Sequence, residues 1–190
     1  MAFGLEGDCL NPAGLLAVGT RQENAIAAAA YVAETGRDWF ESLQIVQSAF
    51  EEADRYFQDK AAATPLFEGT IDMLQGLNAG GVKLGILSAD TTENVADFVR
   101  HYQLGAYFQL AMGAGGELSK PDPQFFLQAC QALDVDPGET LMVGDTRLDL
   151  EMALAAGASG AVAVCHKLPL PSSLKKVDVA IGHFSEVQVL

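Results

Sequence analysis

Basic residues are scarce in this 190-residue chain. It has 11 lysines and arginines against 25 aspartates and glutamates, which gives a formal net charge of -14. Such an acidic surface is repelled by phosphate backbones, so we expect no nucleic-acid partner. The charge would suit a protein that attracts a cation, although a solvated acidic surface explains the same balance.

Cysteines and long apolar runs are also few. Cys9, Cys130 and Cys165 are an odd number without paired spacing, which indicates buried thiols in a reducing compartment. No window approaches the ~18 uninterrupted apolar residues that a membrane span requires, and the start has no basic-then-apolar leader. We therefore expect a soluble, cytoplasmic protein with no membrane partner.

The glycine motifs of nucleotide-binding loops are missing as well. "GAGGELSK" at 113–120 is rich in glycine, but its spacing departs from G-x-x-x-x-G-K-[ST] and Pro121 follows the lysine. G-x-G-x-x-G is absent from this stretch too. The sequence therefore predicts no Walker-type nucleotide site.

The sequence divides into two regions that differ in composition and in the spacing of their apolar residues. Residues 21–63 are rich in Ala, Glu and Gln with apolar residues at helical spacing, which predicts two helices separated at Gly36, the second capped by Asp38. From residue 64 onward, short apolar runs alternate with amphipathic segments. The runs include predicted strands at 140–145, 161–166 and 177–184, and the segments include a predicted helix at 122–135. This alternation predicts an α/β fold at 64–190, a Rossmann-like parallel sheet with helices on both faces, after a small helical region at 1–63.

Polar residues follow three of the apolar runs: Ser88 with Ala89, then Lys120, then Asp145 with Asp149. The carboxyl ends of parallel strands share one edge of a sheet, so we expect these residues to gather there. Two converging carboxylates would suit Mg²⁺, which needs only one or two protein oxygens. Alternatively, Asp149 only caps or charges the start of the next helix.

Lys120 and Ser88 could serve an anion at the same edge. Lys120 lies in "LSKPDPQFF", where Pro121 and Pro123 restrict the backbone around it. A rigidly placed ammonium suits an anionic substrate, phosphate above all, and a serine hydroxyl beside helix N–H groups is an anion site. The alternatives are a surface lysine and a serine that merely caps a helix.

The sequence resembles the haloacid dehalogenase superfamily of phosphatases, most of all its phosphoglycolate phosphatase-like branch with a helical cap. The resemblance is carried by three motifs in this order: Ser88 at the end of an apolar run, Lys120 in "SKPDPQFF", and "VGDTRLDLEMALAAGA". The resemblance covers roughly residues 64–190. It implies that Ser88 binds the phosphoryl group, that Lys120 stabilises its negative charge, and that Asp145 and Asp149 hold Mg²⁺ directly or through water. Residues 10–63 resemble the cap that encloses small phosphorylated metabolites. Ala89 departs from the asparagine that often follows the serine.

The family's nucleophile motif, D-x-D-G-T, is a more serious departure because this sequence lacks it. In the nearest string, "FGLEGDCL", Gly4 would replace the nucleophile and Glu6 the acid/base, and only three residues precede Gly4. We interpret this alignment as a coincidence. We expect the chain to begin after the first core strand, which in the family lies between the strands that end at Ser88 and at Asp145.

Two other functions remain open. A catalytically inactive relative would bind phosphate or metal without turnover. A receiver-like signalling domain also uses an acidic sheet edge and a lysine, but "KPDP" and the helical first third argue against it.

Overall fold

The computed structural model describes residues 3–7, 9–11, 14–56, 59–115, 118–165 and 179–188. Two compact units divide the chain, Met1–Ala63 and Thr64–Leu190. His166 and parts of the strands predicted at 161–166 and 177–184 lie outside the described residues. Among the helices that are described, none combines the length and the apolar character needed to cross a membrane.

The first unit is mainly helical, as its composition predicts. Its elements are β1 (Leu5–Glu6), β2 (Cys9–Leu10), α1 (Leu15–Val18), α2 (Arg21–Ala33) and α3 (Trp39–Tyr56). Thr20 and Glu23 form a capping box at the start of α2. At the start of α3, Asp38 Oδ1 accepts a hydrogen bond from Glu41 N at 2.9 Å, which confirms the predicted cap.

The pairing of β1 with β2 is antiparallel, with Leu5 opposite Leu10, and the sequence did not predict it. Gly4, the residue that aligns with the family's nucleophile, directly precedes β1. It therefore lies beside a two-residue antiparallel pair.

The second unit alternates strands and helices. In chain order these are α4 (Thr70–Ala79), β3 (Gly85–Ser88), α5 (Thr92–His101), β4 (Leu110–Gly113), α6 (Pro123–Leu133), β5 (Leu141–Gly144), α7 (Arg147–Ala155), β6 (Gly160–Val164) and β7 (Val179–Ile181). Short 3₁₀ turns lie between α5 and β4, at Leu104–Ala106, and between α6 and β5, at Pro137–Glu139, and another follows β7 at Phe184–Glu186. The predicted α/β class with parallel strands is confirmed.

The parallel strands form two groups, β3–β4 and β5–β6–β7. In the described part of the chain, β3 pairs only with β4, and β5 pairs with β6 but not with β3. Leu141 and Val143 of β5 are 59% and 43% exposed, although parallel strands normally have both faces covered. Among the described residues, the edges of β3 and β5 that face away from β4 and β6 therefore have no partner strand.

One apolar core nevertheless joins the two groups. Its buried members come from α6, β5 and α7: Phe125, Phe126, Cys130, Met142, Met152 and Ala153. Leu87 of β3 and Met112 of β4 pack against this cluster. The shared core holds α6 and α7 against strands of both groups, and thereby positions the loops that follow β3, β4 and β5.

Candidate active site

Ser88 ends β3 and lies in a turn fixed by backbone hydrogen bonds. Its carbonyl accepts a bond from Ala114 N at 2.8 Å, and its Oγ accepts one from Asp90 N at 3.1 Å. The N-cap of α5 is Thr91, whose Oγ1 accepts a bond from Asn94 N. Ser88 is therefore not the helix cap, and its partly buried hydroxyl precedes the cap in the turn that leads into α5.

Lys120 lies in the turn that leads into α6, with Pro121 and Asp122 between it and the first helical residue. The peptide bond between Lys120 and Pro121 is cis. Asp122 is the N-cap, with its Oδ1 accepting a bond from Gln124 N at 2.9 Å, and Pro123 is the first helical residue. The predicted role of Pro123 in the first turn is confirmed. The Lys120 side chain is only 13% exposed, so it is not a solvated surface lysine.

Asp149 is the third residue of α7 and is almost completely buried, with 2% of its surface exposed. Its Oδ2 accepts hydrogen bonds from Thr146 N at 3.0 Å and from Thr146 Oγ1 at 2.6 Å, while Thr146 Oγ1 also serves the Asp149 N–H. These bonds make a capping box. The helix cap expected as an alternative for Asp149 is therefore present.

The second carboxylate oxygen of Asp149 faces Lys120. Asp149 Oδ1 forms an ion pair with Lys120 Nζ, but this buried oxygen accepts no hydrogen bond of good geometry. The attraction between opposite charges thus dominates the contact. Removing one partner from a buried pair costs about 3–5 kcal/mol, because the remaining charge is left uncompensated. The pair fixes the ammonium of Lys120 beside the loop that follows β5.

Asp145 lies in that loop, directly after β5, and its side chain is exposed. It differs in this respect from Asp149, whose oxygens are engaged by Thr146 and Lys120. The two carboxylates that the resemblance implies as holding Mg²⁺, directly or through water, therefore have different surroundings. Asp145 faces solvent, whereas Asp149 is part of the protein interior.

The structure brings two of the predicted residues into direct contact, Lys120 and Asp149. Ser88 and Asp145 are related by their positions, each at the carboxyl end of a parallel strand that packs on the shared core. Thr146 was missed from the sequence as a site residue. The spacing T-x-x-D from Thr146 to Asp149 is a capping-box pattern that could have identified it.

A magnesium ion would need oxygen ligands at this edge. In the described part of the chain, no group of three or more His, Cys, Asp or Glu side chains is arranged to hold a metal ion. Magnesium, however, keeps several waters and takes one or two carboxylates. The exposed Asp145 fits a direct ligand, and the buried Asp149 fits an indirect one, since Lys120 and Thr146 already occupy its oxygens.

Curated phosphatases match parts of this chain. The chain is 34% identical over 119 residues to a phosphoglycolate phosphatase of Salmonella choleraesuis, a match that covers 62% of this chain and 46% of that protein. It is 29% identical over 145 residues to an N-acetylmuramic acid 6-phosphate phosphatase of Pseudomonas putida, covering 76% and 61% of the two chains. The chain thus spans about half the length of the curated relatives that it matches.

The fold is also shared with known structures. A predicted phosphoglycolate phosphatase from Haemophilus somnus superposes with a TM-score of 0.69 at 19% identity, over 89% of this chain and 76% of that one. At this identity the similarity shows the fold alone. The family model of the haloacid dehalogenase-like hydrolases matches residues 13–157. Because this match covers most of the chain, and α6, α7 and the parallel strands agree with it, the protein belongs to the haloacid dehalogenase-like hydrolases.

Proposed function

We propose that this chain carries the phosphate- and metal-binding part of a Mg²⁺-dependent phosphatase that acts on a small phosphorylated metabolite of the phosphoglycolate type. The observation that carries the proposal is the buried ion pair between Lys120 and Asp149 at the carboxyl end of the parallel strands. A buried ammonium held in one orientation suits a phosphoryl group, because it needs no reorganisation when negative charge develops. The names of the two curated relatives support a phosphomonoester substrate.

Each residue has a distinct role in this proposal. The Ser88 hydroxyl and the Ala89 N–H would donate hydrogen bonds to phosphoryl oxygens, and the Lys120 ammonium would neutralise their charge. Asp149 orients Lys120 and caps α7, while Asp145 would be the direct ligand of Mg²⁺. When bound, Mg²⁺ supplies a positive charge that polarises the phosphoryl group. The helical unit at 1–63 would act as the cap, and we propose a cytoplasmic location.

We assign the attacking carboxylate to none of these residues. D-x-D-G-T is absent from the sequence, and Gly4 has no side chain that could attack phosphorus. Loss of a nucleophile that acts as part of a unit can cost on the order of 10⁶ in rate. This chain should therefore bind phosphate without measurable turnover.

The second candidate function is a non-catalytic phosphate- or metal-binding protein, and the absence of D-x-D-G-T from the sequence favours it. An assay of p-nitrophenyl phosphate hydrolysis separates the two candidates, using the chain and a form extended in frame upstream of Met1. A phosphatase gives Mg²⁺-dependent turnover in the extended form that Asp145→Asn abolishes. Phosphate binding without turnover in both forms supports the non-catalytic protein. Turnover by the chain without the extension would show that it contains a nucleophile, contrary to our assignment.

A further inference from the structure

Gly144, the last residue of β5, lies against the side chain of Asp149. A β-carbon built on Gly144 would lie 2.6 Å from Asp149 Cγ and 2.8 Å from its Oδ2, and closer still to its Cβ. These separations are shorter than the 3.0 Å that real β-carbons respect. The Asp149 carboxylate therefore occupies the space that any other residue at position 144 would fill.

Backbone conformation does not explain this glycine. The glycines with positive φ are elsewhere, for example Gly69 at 80° and Gly157 at 83°, and Gly144 is not among them. Any residue can adopt its backbone angles, since only a positive φ specifically favours glycine. The missing side chain of Gly144 is thus explained by the close approach of Asp149.

Asp149 cannot move aside without breaking its other contacts. Its Oδ2 is held by Thr146 N and Oγ1, and its Oδ1 contacts Lys120 Nζ. A methyl group at position 144 would have to displace the carboxylate from one or both of these partners. Displacement would leave the Lys120 ammonium without its counter-charge in a site where only 13% of the side chain meets solvent.

We propose that Gly144 is a positioning residue: the space left by its missing side chain lets Asp149 fold against β5, and Asp149 in turn fixes the ammonium of Lys120. The consequence for phosphate rests on the proposed function. The consequence for Lys120 does not, because it follows from the packing alone.

The test is the rate at which Lys120 is modified by reductive methylation, read by mass spectrometry of its peptide. Lys83 is the internal reference, because its Nζ donates to the carbonyl oxygens of Leu133 and Asp134 on another part of the unit. Gly144→Ala should raise the labelling of Lys120 several-fold relative to Lys83, and Asp149→Asn should raise it similarly. The control Gly76→Ala, at a glycine whose added β-carbon would meet nothing within 4 Å, should leave it unchanged.

Combining the substitutions shows whether Gly144 acts through Asp149. If it does, Gly144→Ala adds nothing to the Lys120 labelling already caused by Asp149→Asn. The proposal would be overturned if a folded Gly144→Ala protein showed an unchanged labelling rate at Lys120. It would also be overturned if the double variant showed a labelling increase equal to the product of the increases in Gly144→Ala and Asp149→Asn.

Folding and phosphate binding give two further readouts. If Gly144→Ala fails to fold, Gly144→Ala/Asp149→Gly is compared with Asp149→Gly alone. Equal unfolding midpoints would support a clash with Asp149, and a lower midpoint in the double variant would overturn it.

Gly144→Ala should also weaken binding of inorganic phosphate by roughly tenfold, the effect of losing one charge-assisted hydrogen bond. If Gly144→Ala changes the labelling of Lys120 but the parent protein does not bind phosphate, the proposed function is refuted and the role of Gly144 stands.

Discussion

The substitution Asp149→Asn removes one charge from the buried ion pair and leaves the side-chain shape almost unchanged. Asparagine still presents an oxygen to Thr146, so most of the capping box, worth ~1 kcal/mol, should survive. The remaining cost comes from Lys120, whose ammonium loses its counter-charge. A fully buried pair that loses one partner costs about 3–5 kcal/mol. Because the Lys120 side chain keeps 13% exposure, we expect the lower end, about 3 kcal/mol.

The assay is urea unfolding followed by circular dichroism, with Lys120→Met and the double variant measured beside Asp149→Asn. Residues in direct contact show interaction energies of about 0.5–3 kcal/mol in a double-mutant cycle. The double variant should therefore lose less stability than the sum of the two single losses. As a control, Arg147→Gln removes the ion pair with Glu151, whose side chains are 64% and 48% exposed, and should cost less than ~1 kcal/mol.

Two results would refute this reasoning. If the free energy of unfolding of Asp149→Asn lay within ~0.5 kcal/mol of the parent value, the range of ordinary surface substitutions, the pair would not be buried as described. Additive losses in the cycle would show that Lys120 and Asp149 do not interact.

Three further outcomes are expected. Gly113→Ala places a β-carbon against the backbone of the loop that follows Ser88, and it should lower the free energy of unfolding by ~1–3 kcal/mol. The control Gly115→Ala, whose β-carbon would meet nothing within 4 Å, should leave the free energy of unfolding unchanged. Calorimetry measures both variants. Phe125→Ala empties a site that is 2% exposed and should cost ~3–5 kcal/mol in urea unfolding. Burial raises the pKa of the Cys130 thiol, so iodoacetamide at neutral pH should modify Cys130 only after unfolding.

Local pattern was sufficient to predict most of the second unit. The predicted helix at 122–135 appears as α6 (Pro123–Leu133), and the predicted strand at 140–145 appears as β5 (Leu141–Gly144). Pro123, with its fixed φ and missing N–H, determines the start of α6 without help from distant residues. The β1–β2 pair escaped prediction because two-residue strands carry no periodicity.

Contacts between distant residues were harder to predict. The order of strands and polar residues predicts Lys120, Asp145 and Asp149 at one edge of the sheet, but it does not predict that Asp149 is buried and Asp145 exposed. The difference arises from Thr146 and Gly144, which let Asp149 fold inward while Asp145 stays exposed. Such packing depends on the three-dimensional approach of β5 and α7, which hydrophobic patterning does not specify.

The most direct measurement of the central claim is calorimetric titration of the chain with inorganic phosphate in the presence of Mg²⁺. We predict binding that Ser88→Ala weakens by roughly tenfold, the loss of one hydrogen bond to a charged group. The matched control is Ser159→Ala, whose hydroxyl donates to Thr140 O at the surface, and it should bind as the parent does. Absence of phosphate binding, or equal weakening by the two serine variants, would contradict a phosphate site at the carboxyl ends of the parallel strands.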